Sequence, residues 1–317
     1  MRNDVPASCG GASAVGAADA ACGAHPAAGA HAAHAPRVLH TPKRERVANR
    51  KRALVVCVLC ALSLACVVAA GLFVYDDAMQ VDFTAKNLAP SAAHPFGTDW
   101  MGRDMLLRTL AGLSASVLVG LAAAACSSVV ALALAAVAAL GGKRADAVVT
   151  WVIDLVMGVP HIVLLILISF ALGKGFWGVT VGIALTHWPS LARVLRAEIM
   201  QCRESGYVAV ARKLGKSPAR IAVSHIVPAL APQFLVGLIL LFPHAILHEA
   251  AVTFLGFGLP PEQPAIGVIL SESMGYLSAG MWWLAVFPGL ALLACVLLFD
   301  AVGSSLRKLT DPRTAQR

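Results

Sequence analysis

The sequence has few charged residues. Asp, Glu, Lys and Arg make up only 13% of its 317 residues, whereas 58% are apolar and the mean hydropathy is +0.76. A soluble domain usually carries about 25% charged residues, because its surface must be hydrated. The low proportion excludes an ordinary soluble globule and, together with the apolar content, predicts a polytopic membrane protein.

The sequence also lacks a disulfide framework, although it contains eight cysteines. Cys57, Cys60, Cys66, Cys126 and Cys295 lie in apolar runs. Cys57 and Cys60 form a C-x-x-C pair, but Leu, Val and Ala flank it, and redox and zinc sites have other surroundings. We interpret these cysteines as small apolar residues of membrane helices.

Six uncharged runs are long enough to cross a bilayer, which takes about 20 apolar residues. The sequence therefore predicts an all-α protein with six transmembrane helices. The first run is predicted to be a retained anchor, because it follows a 52-residue leader and lacks a well-placed cleavage pattern. The runs are residues 53–75, 109–142, 155–173, 175–192, 221–248 and 273–299.

Lys and Arg are concentrated in alternate segments between these runs. Residues 1–52, 141–147, 193–220 and those after 305 carry 21 of the 25 basic residues. Because basic loops stay on the cytoplasmic side, the pattern predicts a multi-pass membrane protein with both termini in the cytoplasm. This topology explains the net charge of +8, so we expect a lipid bilayer and no nucleic acid as a partner.

The predicted organisation follows from the spans. A basic cytoplasmic tail (1–52) precedes the anchor, and residues 76–108 form an extracytoplasmic segment. The membrane core covers 109–305, and a second cytoplasmic tail covers 306–317. Residues 1–42 are rich in Ala and Gly, which predicts disorder. The histidines and cysteines of this stretch either bind a metal ion or are incidental to its composition. They are His25, His31, His34, His40, Cys9 and Cys22.

Residues 203–228 are the most strongly patterned loop. A short helix is predicted over Tyr207–Leu214. Gly215, in a left-handed backbone conformation, would end it. Ser217 suits the N-cap and Pro218 the first position of a second helix. The pattern predicts a helix–turn–helix element with a basic rim on the cytoplasmic face, shaped to enter a cleft of a partner.

No complete nucleotide-binding or metalloprotease motif is present in the sequence. Gly215-Lys216-Ser217 resembles the end of a Walker A loop, but position 210 is Val where that motif needs Gly, and no apolar strand precedes it. His248-Glu249 lacks the second histidine of an H-E-x-x-H motif. We therefore expect no catalytic site and no cofactor in this chain.

The 203–228 loop resembles the coupling loop of ABC importer permeases. In that motif, three small or acidic residues precede a glycine, and a later hydrophobic stretch ends in proline. Here Ala209-Val210-Ala211 precede Gly215, and Ala209 replaces the motif's glutamate. The resemblance implies that this loop contacts an ATPase. The candidate coupling residues are Tyr207, Ala209, Ala211, Gly215, Ser217 and Pro228.

Further motifs resemble the C-type permeases of dipeptide, oligopeptide and nickel importers. They are residues 94–112, Asp154 with Pro160, residues 249–258, and the terminal Asp311-Pro312-Arg313. The resemblance implies a type I ABC importer permease fold. It also implies a location in the bacterial inner membrane, a second, B-type permease subunit, two cytoplasmic ATPase subunits that bind ATP and Mg²⁺, and an extracytoplasmic solute-binding protein.

Local sequence favours one cargo class over another. Residues 184–188 (ALTHW) and the pair His244 and His248 resemble nickel or metal-chelate permeases. Residues 264–267 read Pro-Ala-Ile-Gly, whereas peptide permeases have Pro-Ser-Trp-Gly. We therefore expect nickel or a metal chelate as cargo, with a di- or oligopeptide as the alternative. A self-sufficient secondary transporter or channel is a remote alternative, because no convincing inverted repeat is visible.

Several ionisable side chains fall within the predicted spans, where a charged group costs about 2.5–3.5 kcal/mol on insertion scales. We predict that His187, His244 and His248 bind a divalent metal transiently, since imidazole suits nickel, cobalt and zinc. Asp154 and His161, seven residues apart, are expected on nearly the same face of one helix. The alternative is that these groups cap helices, bond between spans or lie near headgroups. We favour it for Asp154 and for any histidine taken singly, and both interpretations stay open for the pair His244 and His248. The candidate path residues are Asp154, His161, His187, His244, His248 and Glu249.

Overall fold

The computed structural model describes residues 43–310, and no β-strand occurs among them. The predicted all-α architecture is therefore confirmed. The predicted disordered stretch 1–42, with its histidines and cysteines, lies outside the described residues, as does 311–317. The helices are α1 (Lys43–Phe73), α2 (Tyr75–Met79), α3 (Met105–Leu140), α4 (Gly142–Gly158), α5 (His161–Ala171), α6 (Gly175–Glu204), α7 (Gly206–Lys213), α8 (Pro218–Ile221), α9 (Val227–Phe254), α10 (Ile266–Leu277) and α11 (Trp283–Thr310).

Four helices are long and apolar enough to cross a membrane. They lie at Arg50–Phe73, Met105–Leu140, Ala219–Phe254 and Trp283–Thr310. The third of these joins α8 to α9 through a π-helical turn at Ala222–Ile226. The pair α4 and α5 makes a fifth candidate, bent by 94°. The described part of the chain thus offers four or five apolar spans, and the predicted count of six is not confirmed.

The difference in count concerns α6, which contains the run predicted as the fourth span. This helix is 30 residues long, but its Gly, Thr, His and Pro residues lower its apolarity. It packs against α3, α5 and α9, and Thr180, Thr186 and His187 are buried there. Small and polar residues are common where membrane helices pack against each other. A helix surrounded by helices therefore does not need an apolar surface all round.

Pro160 explains the bend between α4 and α5. Proline cannot continue a helix, and it forces the residue before it into an extended conformation. Val159 accordingly has φ −89° and ψ 137°, and α5 starts at His161. The run 155–173, predicted as one helix, is therefore divided between α4 and α5. Asp154 lies on α4 and His161 on α5, so the two do not share one helix face.

The long α3 lies at the centre of the fold, packed against α1, α6 and α9. Its buried residues are mostly Ala, Ser and Gly. A Cβ atom on Gly120 would come within 2.6 Å of Cγ1 of Ile246 on α9. Small side chains at such contacts let two helices approach closely, which is how helices associate in lipid.

Glycines also hold α5 close to α6. A Cβ atom on Gly178 would lie 2.9 Å from the Ser169 carbonyl oxygen, and one on Gly182 would lie 3.3 Å from that of Leu165. The hydroxyl of Ser169 donates to the carbonyl oxygen of Phe257, at 2.8 Å. These contacts fix the position of α5 against α6 and the loop after α9, and so set the surroundings of His161.

Candidate functional site

Three histidines from three helices meet beside the helix break. His161 begins α5, His187 lies within α6 and His248 lies on α9. Their ring centroids are 4.5, 4.7 and 4.9 Å apart. One ligand nitrogen of each ring lies within 4.8 Å of the others, and no other such group of three or more His, Cys, Asp or Glu is found within residues 43–310. We call these three residues the histidine cluster.

Backbone carbonyls set the tautomers of two of these rings. Nδ1 of His187 lies 3.0 Å from the carbonyl oxygen of Ile183, and Nδ1 of His248 lies 2.7 Å from that of His244. A carbonyl oxygen can only accept, so each Nδ1 carries the proton and each Nε2 keeps a lone pair. Nε2 of His187 and Nε2 of His161 are buried without a hydrogen-bond partner among the described residues.

His187 and His248 therefore each keep a lone pair on Nε2, and one nitrogen of His161 lies within 4.8 Å of a ligand nitrogen of each of them. Neutral imidazole nitrogens are good ligands for zinc, nickel and cobalt. A metal-bound histidine usually donates its other ring N–H to a carbonyl or carboxylate, which is the arrangement found at His187 and His248. Chemically, the arrangement is suited to bind a divalent transition metal ion.

The structure assembles only part of the predicted metal set. His187 and His248 belong to the histidine cluster, whereas the His244 side chain is exposed and His161 completes the group. Residues four apart on a helix share a face but lie about 6 Å apart along the axis. At the level of the other two rings, α9 presents His248, and His244 contributes its backbone carbonyl.

Glu249 lies next to the histidine cluster in sequence but bonds elsewhere. Its side chain is fully buried and accepts a hydrogen bond from the Thr253 hydroxyl, at 2.8 Å. The same hydroxyl accepts from the backbone N–H of Leu259, at 3.2 Å. Glu249 therefore helps to hold the loop after α9, and a role in the path stays a prediction.

Asp154 pairs with a side chain of another helix. Its carboxylate lies 2.5 Å from Nη2 of Arg193 on α6, and both side chains are about half exposed. Nearby, Asp146 binds Arg196 through two hydrogen bonds of 2.5 and 2.6 Å. Both ion pairs join α4 to α6, as expected if Asp154 orders helix packing.

Residues 203–228 contain the predicted helix–turn–helix shape. α7 ends just before Gly215, whose φ is +74°, and α8 begins at Pro218. The hydroxyl of Ser217 accepts from the backbone N–H of Arg220, at 3.4 Å. The first helix and the turn agree with the prediction. The predicted separate second helix does not, because α8 is four residues long and continues through the π-helical turn into α9.

The candidate coupling residues divide into a core and an outer surface. Ala211 is buried with Val208 and Ile221 in a small apolar core between α7 and α8. Tyr207 and Ala209 are exposed. So are Gly215, Ser217 and Pro228. Ala211 therefore supports the shape of the element, while the exposed residues are available to a partner.

A buried ion cluster was not identified from the sequence. Asp99 lies 2.6 Å from Nε of Arg103 and 2.9 Å from Nη1 of Arg108, which is also 2.7 Å from Glu272 of α10. A signal was present, because Arg103 and Arg108 are two of only four basic residues on the predicted outer side. Their partner Glu272 is distant in sequence, so pairing could not be inferred.

Comparisons with known proteins agree with this architecture. Residues 127–316 match the family described as "Binding-protein-dependent transport system inner membrane component". A Brucella suis protein named as a peptide permease is 36% identical over 237 residues, covering 74% of this chain and 78% of that protein. The dipeptide transport system permease protein of Bacillus subtilis is 28% identical over 235 residues, covering 74% of this chain and 73% of that protein.

Two solved ABC transporters share the fold. A chain of the inward-facing MetNI methionine ABC transporter superposes with a TM-score of 0.53 and 16% identity, covering 65% of this chain and 98% of that one. A chain of an amino acid ABC transporter gives a TM-score of 0.52 and 19% identity, covering 63% of this chain and 92% of that one. These similarities confirm the predicted ABC transporter permease fold.

Proposed function

Because this chain belongs to the binding-protein-dependent transport system inner membrane components, we propose that it is the permease subunit of an ATP-driven importer whose cargo is a di- or oligopeptide. The observation that best supports this proposal is the 36% identity to a protein named as a peptide permease, over 78% of that protein's length. The peptide alternative is thus better supported than nickel, which local sequence favoured.

The proposed importer needs further subunits. A second permease subunit would complete the path, two ATPase subunits would bind ATP and Mg²⁺, and an extracytoplasmic binding protein would deliver the peptide. The α7–α8 element supports this assembly, because its exposed residues Tyr207 and Ala209 stand beside a basic rim. Closure of the ATPases on ATP would move this element and open the path outward, and hydrolysis would reset it.

The membrane orientation belongs to the same proposal. The chain is a multi-pass inner-membrane protein, and its basic segments alternate along the sequence. Placing residues 193–220 in the cytoplasm puts α7 and α8 where the ATPases are. Both termini are then cytoplasmic, and the loop between α9 and α10 faces the binding protein.

A metal ion or metal chelate is the second candidate cargo. The observation that favours it is the histidine cluster, whose nitrogens lie within 4.8 Å of one another. Imidazole groups suit nickel, cobalt and zinc. In this alternative the ion would pass the cluster during transport and leave it readily.

Uptake by cells with and without this chain distinguishes the two cargoes. Cells carrying the whole importer are given a labelled dipeptide, or labelled nickel in free or chelated form, with each compound in excess as competitor. We expect dipeptide uptake to depend on the chain and to resist competition by nickel. Nickel uptake that depends on the chain, with no dipeptide uptake, would reverse the assignment in favour of the metal.

A further inference from the structure

We propose that His161, His187 and His248 bind one divalent transition metal ion, zinc, cobalt or nickel, as a resident ion. The ion would join the first residue of α5 to α6 and α9. It is a structural clamp at a helix break and differs from a cargo in transit. The proposal is compatible with the peptide cargo and is opposed to the alternative in which a metal cargo passes the cluster and leaves it.

The ring geometry is close to that of a bound site. Nitrogen ligands lie about 2.0–2.1 Å from zinc, so two ligands of a tetrahedral ion are roughly 3.3 Å apart. The ligand nitrogens here lie within 4.8 Å of one another, so small movements of the rings would bring them to the spacing of ligands around one ion. The rings meet at 82°, 78° and 80°, which spreads them around a common centre instead of stacking them.

The hydrogen bonds around the rings prepare the nitrogens for an ion. His187 and His248 each use Nδ1 to donate to a backbone carbonyl four residues earlier. This fixes the ring and leaves Nε2 as the ligand atom. A buried polar atom without a partner is unfavourable, and both His161 and His187 bury Nε2 in that state. A cation would give both nitrogens a partner.

The position of the cluster explains what the ion would do. Pro160 interrupts the helix just before His161, so α5 begins without the support of a continuous helix. A bond from His161 to a shared ion would fix this end of α5 to two neighbouring helices. His161 and His248 are only partly buried, which leaves room for water as a fourth ligand.

A preset site also favours a resident ion over a transported one. The ligands come from three helices and two are oriented before binding, so little ordering is needed when the ion enters. Low ordering cost gives tight binding and slow release, because differences in affinity appear mostly in the dissociation rate. Slow release would stall a transport path but suits a clamp.

Metal content of the purified importer tests the proposal. The complex, prepared without a histidine tag, is dialysed against zinc or cobalt and then against buffer, and its metal is measured by mass spectrometry. Cobalt also reports its geometry through visible d–d absorption. We expect one retained ion per chain, with loss of that ion in His161→Ala, His187→Ala and His248→Ala. His244→Ala is the matched control and should retain the ion.

Three results would overturn the proposal. These are no retained ion in the parent protein, equal metal in the parent and the cluster variants, or release of the ion during each ATP turnover. A variant that elutes abnormally in size-exclusion chromatography is replaced by His161→Gln, which keeps a polar side chain at a partly buried position. Metal content is measured independently of uptake. A failure of the peptide assignment would therefore not change the result of this test.

Discussion

Arg108 shows how a single buried charge joins distant parts of the chain. Its side chain is 2% exposed and lies 2.9 Å from Asp99 and 2.7 Å from Glu272. A guanidinium so deeply buried must be compensated, because its desolvation costs several kcal/mol. The pairing therefore fixes the segment before α3 against α10.

Arg108→Met should destabilise the protein. The substitution keeps the length of the side chain but leaves Asp99 and Glu272 with one fewer cation, and breaking a buried ion pair costs about 3–5 kcal/mol. We expect a clearly lower Tm for the detergent-purified protein, measured by size-exclusion chromatography after heating. Lys86→Met is the control, since Lys86 is exposed and on the same predicted side. Equal Tm values for the two variants would contradict the prediction.

At the scale of the element, α7 and α8 form a small unit with its own apolar core. Val208, Ala211 and Ile221 are buried together, while Ala209 points outward from the same helix. The unit therefore has separable inner and outer positions. A change at an inner position alters its shape, whereas a change at an outer one alters only its surface.

Ala211→Glu should abolish ATP-driven uptake while the chain remains in the membrane. A carboxylate at this position would be buried without a partner, so α7 would separate from α8. Ala209→Glu is the matched control, because position 209 lies outside the core between α7 and α8 and the substitution restores the glutamate of the coupling-loop motif. We expect Ala209→Glu to retain uptake, measured with the labelled dipeptide. Normal uptake by Ala211→Glu, at equal membrane abundance, would remove the coupling assignment.

A second prediction at this scale concerns the turn between α7 and α8. Gly215 has φ +74°, and a Cβ atom there would meet nothing within 4 Å. The only cost of a side chain is thus backbone strain, about 1–2 kcal/mol for an ordinary residue. Asn tolerates this conformation, whereas Pro fixes φ near −65°. We expect the Gly215→Asn variant to keep most dipeptide uptake and the Gly215→Pro variant to lose it. Equal uptake by the two variants would show that this turn is not required.

At the scale of the whole molecule, structure that depends on neighbouring residues could be predicted from the sequence, whereas contacts between residues distant in the chain could not. Gly215, Ser217 and Pro218 determine their own turn, so the sequence was enough to predict α7 and the start of α8. The histidine cluster brings His161, just after the break at Pro160, to His248, which depends on how α5, α6 and α9 pack. The spacing of His244 and His248 along α9 favoured His244 as a ligand instead, because spacing on one helix does not show which residues of other helices lie nearby.

The orientation of the whole chain gives the last prediction. In a variant whose native cysteines are replaced by alanine, Ser217→Cys and Glu262→Cys each introduce one thiol at an exposed position. If basic segments stay inside, a membrane-impermeant maleimide added to intact cells should label Cys introduced at position 262 but not at 217. Labelling at 217 should appear only after the membrane is opened.

The same pair of variants separates topology from span number. Between positions 217 and 262 lies one apolar span, Ala219–Phe254, so the two sites must be on opposite sides whatever the status of α6. Labelling of both sites in intact cells would show that this helix does not cross. Labelling of 217 alone would invert the chain, place α7 and α8 away from any cytoplasmic ATPase, and so remove the physical basis for ATP-driven import through this element.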